Sequence, residues 1–221
     1  MRYPAVIFDL DGTLIDSLPD IADAANRIMV AHGYPTHSYD AYRYHIGDGV
    51  IKLMKRALPE AARTPQIIAE CVEEYGADYA ANWAVKTRAY PGVAELLDGL
   101  AGSGVRLAVL SNKPHVFTVQ CVEEFLGGWR FDLVLGAGGE FPNKPDPAAA
   151  LHIAKAMKLD PSRLAYVGDT ATDMQTAIAA GMFAMGALWG YRTREELVES
   201  GAQALLGSPV ELLGLQGSRV R

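Results

Sequence analysis

A run of apolar residues that ends abruptly in a carboxylate constrains this chain most: Ala5-Val6-Ile7-Phe8 leads directly into Asp9. The arrangement recurs along the sequence. Leu107–Leu110 is followed by Ser111, Asn112 and Lys113, and Ala165–Val167 by Gly168, Asp169, Thr170 and, one turn on, Asp173. Leu133–Leu135 and Phe183–Leu188 are further runs, and the loop after the former supplies Lys144. None of these runs alternates polar with apolar. Each therefore suits a strand buried on both faces, as in a parallel sheet covered by helices. Amphipathic helical patterns lie between them. Val93, Leu96, Leu97 and Leu100 follow one helical stripe that stops near Gly102. Asp146-Pro147 reads as an N-cap and first helical residue, with Ala150, Ile153, Ala154 and Met157 inward. Strand and helix in alternation predict an α/β fold with a doubly wound, Rossmann-like parallel sheet.

Residues 16–90 break the rhythm, because no strand-like run occurs there. Ser17-Leu18-Pro19-Asp20 reads as a capping box for a helix carrying Ile21, Ala24, Ala25, Ile28 and Met29 on one face and ending at Gly33. Gly47-Asp48-Gly49 precedes a second helix with Val50, Leu53, Met54, Ala57 and Leu58 inward, and Thr64-Pro65 starts a third through Ile68, Cys71, Val72, Tyr75 and Tyr79. The expected organisation is an α/β core from residues 1–15 and 91–221, with an all-helical cap at 16–90 inserted after the first strand. The chain crosses between them near Asp16 and near Ala89-Tyr90-Pro91-Gly92, and two adjacent crossings make a natural hinge. Gln216–Arg221 reads as a frayed tail.

Composition narrows the partners. With 221 residues and a formal net charge of −6, the chain has no general attraction for nucleic acid or an anionic membrane. Its two cysteines, Cys71 and Cys121, sit in helical patterns and read as reduced, partly buried thiols. The N-terminal apolar run is too short and too soon acidic for a signal peptide or membrane span, so a soluble cytoplasmic protein is expected. The size allows a monomer or a homodimer.

In an open parallel sheet, ligands bind beyond the carboxyl ends of the strands. Asp9, Asp11, Asp169, Asp173, Ser111, Asn112 and Lys144 all fall there. Asp9, Asp11 and Asp169 brought within a few ångströms would repel one another, and a hard divalent ion removes that repulsion. Oxygen donors without histidine or thiolate point to Mg2+, which also accepts a phosphate oxygen. Carboxylates can serve as covalent nucleophiles. Two aspartates at i and i+2 divide such work, one attacking phosphorus and the other moving the proton. Lys144 can neutralise the nucleophile and phosphate, while Ser111 can bond phosphoryl oxygens. Thr13 and Asn112 are grouped with Ser111 as candidate substrate contacts; Gly47, Gly49 and Lys52 are candidates from the helical insert. The partner expected is a small phosphorylated metabolite.

Asp9-Leu10-Asp11-Gly12-Thr13, Ser111-Asn112, Lys144-Pro145 and Gly168-Asp169-Thr170-Ala171-Thr172-Asp173 resemble, in order, the four motifs of the haloacid dehalogenase superfamily. The resemblance covers residues 9–173. It implies that Asp9 is the nucleophile and Asp11 the general acid/base. It also implies Mg2+ bound by the Asp9 carboxylate, the Asp11 backbone carbonyl and Asp169, with Asp173 supporting. Asp11 argues against the dehalogenase branch proper, which lacks that second aspartate. Thr170 stands where serine is usual, and keeps the hydroxyl. Within the superfamily the chain is most similar to phosphoglycolate phosphatases. Asp9–Asp16 continuing into Ser17, His45-Ile46-Gly47-Asp48-Gly49, Tyr90-Pro91-Gly92-Val93 and Ser111-Asn112-Lys113-Pro114 carry that likeness. Pyrophosphatases, sugar phosphatases and β-phosphoglucomutases with related caps are the alternatives. A phospho-receiver signalling domain is the non-enzyme alternative, although it needs neither the Asp9/Asp11 pair nor a helical insert. No Gly-x-Gly-x-x-Gly follows the first strand, and no Gly-x-x-x-x-Gly-Lys-Ser/Thr occurs.

Overall fold

The computed structural model describes residues 3–217. Strand β1 (Ala5–Phe8) and the short β2 (Ile15–Asp16) are followed by helices α1 (Leu18–Ala31), α2 (Tyr39–His45), α3 (Val50–Ala57) and α4 (Pro65–Asn82). The chain returns through β3 (Arg88–Ala89) to α5 (Val93–Gly102), β4 (Arg106–Pro114), α6 (His115–Leu126), β5 (Leu133–Ala137) and α7 (Ala148–Ala156). It closes with β6 (Leu164–Gly168), α8 (Ala171–Ala179), β7 (Phe183–Ala187), α9 (Arg194–Glu199), β8 (Ala204–Leu206) and α10 (Glu211–Gly217).

Six strands form one parallel sheet in the order β5-β4-β1-β6-β7-β8. The nonalternating runs explain why it is covered on both faces. Val6 and Phe8 point into one hydrophobic layer with Leu96, Leu97 and Cys121; Ala5 and Ile7 point into the other with Ile153, Tyr166 and Met174. Each β1 side chain is fully buried, so a polar residue in this strand would cost desolvation on either side. Strand order reverses around β1, which places the crevice beyond the ends of β1, β4 and β6.

Helices α1–α4 surround a hydrophobic cluster of their own, with Ile21, Ala25, Met29, Leu53, Met54 and Tyr79 inside. Where the chain enters and leaves this region, β2 and β3 pair antiparallel, Ile15 opposite Ala89 and Asp16 opposite Arg88. These two-residue strands and β8 are too short to give a periodic signal, and the sequence reading passed over them. It also passed over α2, whose cap is plain in the structure: Ser38 Oγ accepts from Ala41 N.

The expected capping box at Ser17 does not form. Ser17 is the N-cap of α1 without a side-chain cap bond, because its hydroxyl donates instead to Asp11 at 2.5 Å. Asp20 is likewise diverted: its buried carboxylate accepts from Lys86 N, Thr87 N at 2.8 Å and Thr87 Oγ1 at 2.7 Å, tying the first helix to the returning chain. Asp20→Ala strands these donors and should lower stability by about 3 kcal/mol. Urea denaturation checks this, and a loss under ~0.5 kcal/mol, the scale of an ordinary surface substitution, would show the tie to be solvated. At α7 the N-cap is Pro147, one residue later than expected, although Asp146 Oδ1 still accepts from Ala148 N. Of the expected C-terminal tail, Gln216 and Gly217 complete α10, and the rest lies outside the described residues. Both cysteines are free and buried. No described helix is long and apolar enough to cross a membrane.

Candidate active site

Asp9 follows β1 directly, and the next turn is built around it. Leu10 N donates to Asp9 Oδ1 at 2.7 Å, and Gly12 takes φ +86°, a left-handed conformation that costs a side chain. A Cβ at Gly12 would also collide with the Asp169 carboxylate. Asp169 sits in turn at the end of β6, where Thr13 Oγ1 donates at 3.0 Å and Tyr191 N at 2.9 Å. Asp173, one turn into α8, accepts from Thr170 N at 3.0 Å and Thr170 Oγ1 at 2.7 Å, closing the helix start.

Lys144 links the cluster. Its ammonium lies 2.9 Å from Asp9 Oδ1 and 2.6 Å from Asp173 Oδ1, with a side chain only 2% exposed. The carboxylates of Asp9, Asp169 and Asp173 each place an oxygen within 4.8 Å of the others. Three carboxylates facing one ammonium leave two negative charges unbalanced in a buried site. Burial, then Asp173, push the Asp9 carboxyl well above its usual range, against the pull of Lys144. Burial and Asp173 push Asp169 up to about 7, despite the bonds from Tyr191 and Thr13. Burial alone would lower Lys144, yet Asp173 and Asp9 hold it well above an ordinary lysine. An all-oxygen donor set short of two positive charges fits a hard divalent cation.

Asp11 stands apart from that cluster. It receives Ser17 Oγ at 2.5 Å and Lys113 Nζ at 3.0 Å, and the same ammonium donates to Tyr79 Oη at 2.8 Å. Asp11 therefore points toward the helical side, spanning the region between the Asp9 cluster and α4.

Above these groups lies a cleft of about 560 Å³, counted with its mouth. Asp9, Asp11, Ser111, Asn112 and Lys113 form its floor, and Ile46, Gly47, Gly49, Val50 and Leu53 its roof. Three contacts bolt the roof down: Asn112 Nδ2 to Gly47 O at 3.1 Å, Arg192 Nη2 to Ile46 O at 2.9 Å, and Thr172 Oγ1 to Asp48 Oδ1 at 3.2 Å.

The residues singled out in the sequence divide accordingly. Asp9, Asp169, Asp173 and Lys144 meet, and Asp11, Ser111, Gly47 and Gly49 line the cleft. Thr13, grouped with the substrate contacts, gives its hydroxyl to Asp169 instead. Asn112 borders the cleft, but its amide is taken up by Lys144 N and O and by Gly47 O. Lys52 does not reach the cleft: its side chain is 56% exposed and sits 3.5 Å from Asp48. The sequence reading overlooked Tyr191 and Tyr166. Tyr191 follows the run Phe183–Leu188, so the rule applied to the other strand ends would have found it. The Tyr166 hydroxyl, 3.4 Å from Asp173, looks like plain strand core in sequence.

The model of the haloacid dehalogenase-like hydrolase family matches residues 3–181. This chain belongs to that family. It is 34% identical over 220 residues to a phosphoglycolate phosphatase of Nitrosospira multiformis, covering 96% of each protein. It is 36% identical over 189 residues to a phosphoglycolate phosphatase of Pseudomonas putida, covering 84% of this chain and 70% of that one. A crystal structure described as a predicted phosphoglycolate phosphatase from Haemophilus somnus superposes with a TM-score of 0.91 at 28% identity, over 98% of this chain and 99% of the other.

Proposed function

We propose that the chain is a Mg2+-dependent phosphatase of small phosphate monoesters, with 2-phosphoglycolate as its substrate, working through a phosphorylated Asp9. The observation that carries this reading is the buried Asp9 carboxylate on the floor of a cleft, held 2.9 Å from Lys144 and grouped with Asp169 and Asp173 beneath it. The names of the similar proteins support the choice of substrate.

Asp9, Asp169 and the Asp11 backbone carbonyl would hold the cation, with Asp173 steadying Lys144 beside them. Bound there, Mg2+ would balance the carboxylates and withdraw charge from a phosphate oxygen. Lys144 and the Ser111 hydroxyl orient the phosphoryl group. An Asp9 oxygen attacks phosphorus while the bond to the ester oxygen breaks, and Asp11 gives its proton to the departing alkoxide. Asp11 then takes a proton from water as that water attacks the same phosphorus, releasing inorganic phosphate and restoring Asp9. Residues 16–90 act as a cap on the paired crossings at β2 and β3, and the bolted roof shields the phosphorylated aspartate from bulk water.

Phosphate release measured over 2-phosphoglycolate, pyrophosphate, glucose 1-phosphate and nucleoside monophosphates tests the reading. The expected result is preferential, many-cycle turnover of 2-phosphoglycolate. Conversion of glucose 1-phosphate into an isomer with little free phosphate would replace the phosphatase by a mutase. Excess EDTA should stop the reaction and added Mg2+ restore it. Undiminished activity in the chelator would dismiss the cation from the mechanism.

A further inference from the structure

Lys113 is unused by the chemistry above, although it lines the cleft with a side chain only 4% exposed. Its ammonium donates to Asp11 at 3.0 Å and 3.3 Å and to Tyr79 Oη at 2.8 Å. Two of the three contacts go to the one Asp11 carboxylate, so the ammonium has only two partners for three protons while lining the cleft. The other walls there are carbon: Ile21, Ile46, Val50, Leu53, Tyr75 and Phe117.

The cations nearby are committed elsewhere. Lys52 and Arg56 sit 3.5 Å and 2.5 Å from Asp48. Arg192 pairs with Glu196 at 3.2 Å and donates to the carbonyls of Arg43 and Ile46. Lys144 is held between Asp9 and Asp173. Among the described residues Lys113 is the one cation lining the cleft, so a negative group on the leaving side of an ester would meet its ammonium there.

We propose that Lys113 is the residue that sets substrate specificity: anchored by Tyr79 and Asp11, it receives a carboxylate carried on the leaving group. The enzyme then selects phosphorylated hydroxy acids over esters of neutral alcohols. An apolar leaving group would press carbon against a buried ammonium and strip its hydration without return. A carboxylate supplies a charge-assisted hydrogen bond at the same point.

The proposal rests on the phosphatase reading, and its test separates the two. With Mg2+ present, kcat/KM is compared for 2-phosphoglycolate and for its uncharged amide, phosphorylated glycolamide. The wild type should favour the acid, and Lys113→Met should shrink the acid-to-amide ratio by at least ~10-fold, the usual worth of a bond to a charged group. Lys113→Arg should restore part of the ratio. Lys113→Gln, which leaves Asp11 a donor, replaces Lys113→Met if that variant unfolds. An unchanged ratio, both esters slowing equally, would overturn the proposal and leave Lys113 as a prop for Asp11. A wild type that turns over neither ester refutes 2-phosphoglycolate as the substrate and not the role of Lys113. Lys113 is then decided by calorimetric binding of both compounds to the Asp9→Asn protein, with and without Lys113→Met. Loss of tighter binding for the acid supports the role, and equal binding in both backgrounds ends it.

Discussion

Asp9→Asn should reduce phosphate release by on the order of 10⁴-fold or more, the scale on which enzymes lose turnover when their nucleophile is removed. The substitution keeps the shape of a side chain that is already 5% exposed and already accepts Leu10 N. What it removes is the anionic oxygen 2.9 Å from Lys144. The amide also relieves one of three crowded carboxylates, so the folded protein should survive heating at least as well as the wild type. Activity and stability are thus expected to move apart. Steady-state assays with thermal unfolding check both, and retention of a tenth of the wild-type rate would remove Asp9 as the nucleophile.

The second large effect belongs to Asp11→Asn, which should cost at least ~100-fold in kcat, the ordinary contribution of a positioned proton donor. Asparagine can still accept from Ser17 and from Lys113, so the local bonds seen at 2.5 Å and 3.0 Å have a replacement acceptor. It cannot deliver a proton to an alkoxide or take one from water. The defect should therefore be deepest for esters of strongly basic alcohols and milder for p-nitrophenyl phosphate, whose leaving group needs little protonation. Equal losses on both kinds of ester would take protonation of the leaving group away from Asp11 and leave it the activation of water alone.

The site was legible in the sequence to the extent that strand ends were. Asp9 and Asp169 could be read because each follows a fully buried strand at once, and Lys144 and Asp173 because they lie in the loop or first helical turn after a strand, positions that topology carries to one edge. Side-chain direction was not legible. Ser17 and Asp20 have the spacing of a capping box, yet the fold offers each a partner distant in sequence, Asp11 for one and Thr87 for the other. Local pattern cannot weigh a bond between residues 67 apart. Lys52 shows the same limit from the other side: one helical turn from Gly49, it reads as a substrate contact, but the twist of α3 turns it outward to Asp48. Lys113 gave no periodic sign of its partners, because Tyr79 lies 34 residues away in α4 and no local spacing encodes that meeting.

The Asn112 amide touches Gly47 O on one side and Lys144 N and O on the other. One side chain thereby ties the Gly47 turn to the backbone that carries Lys144. On the proposed reading, a change at residue 112 that loosens the roof also unsettles the lysine placed for the phosphate, so the roof alone can be loosened only at its other two ties, Arg192 and Thr172.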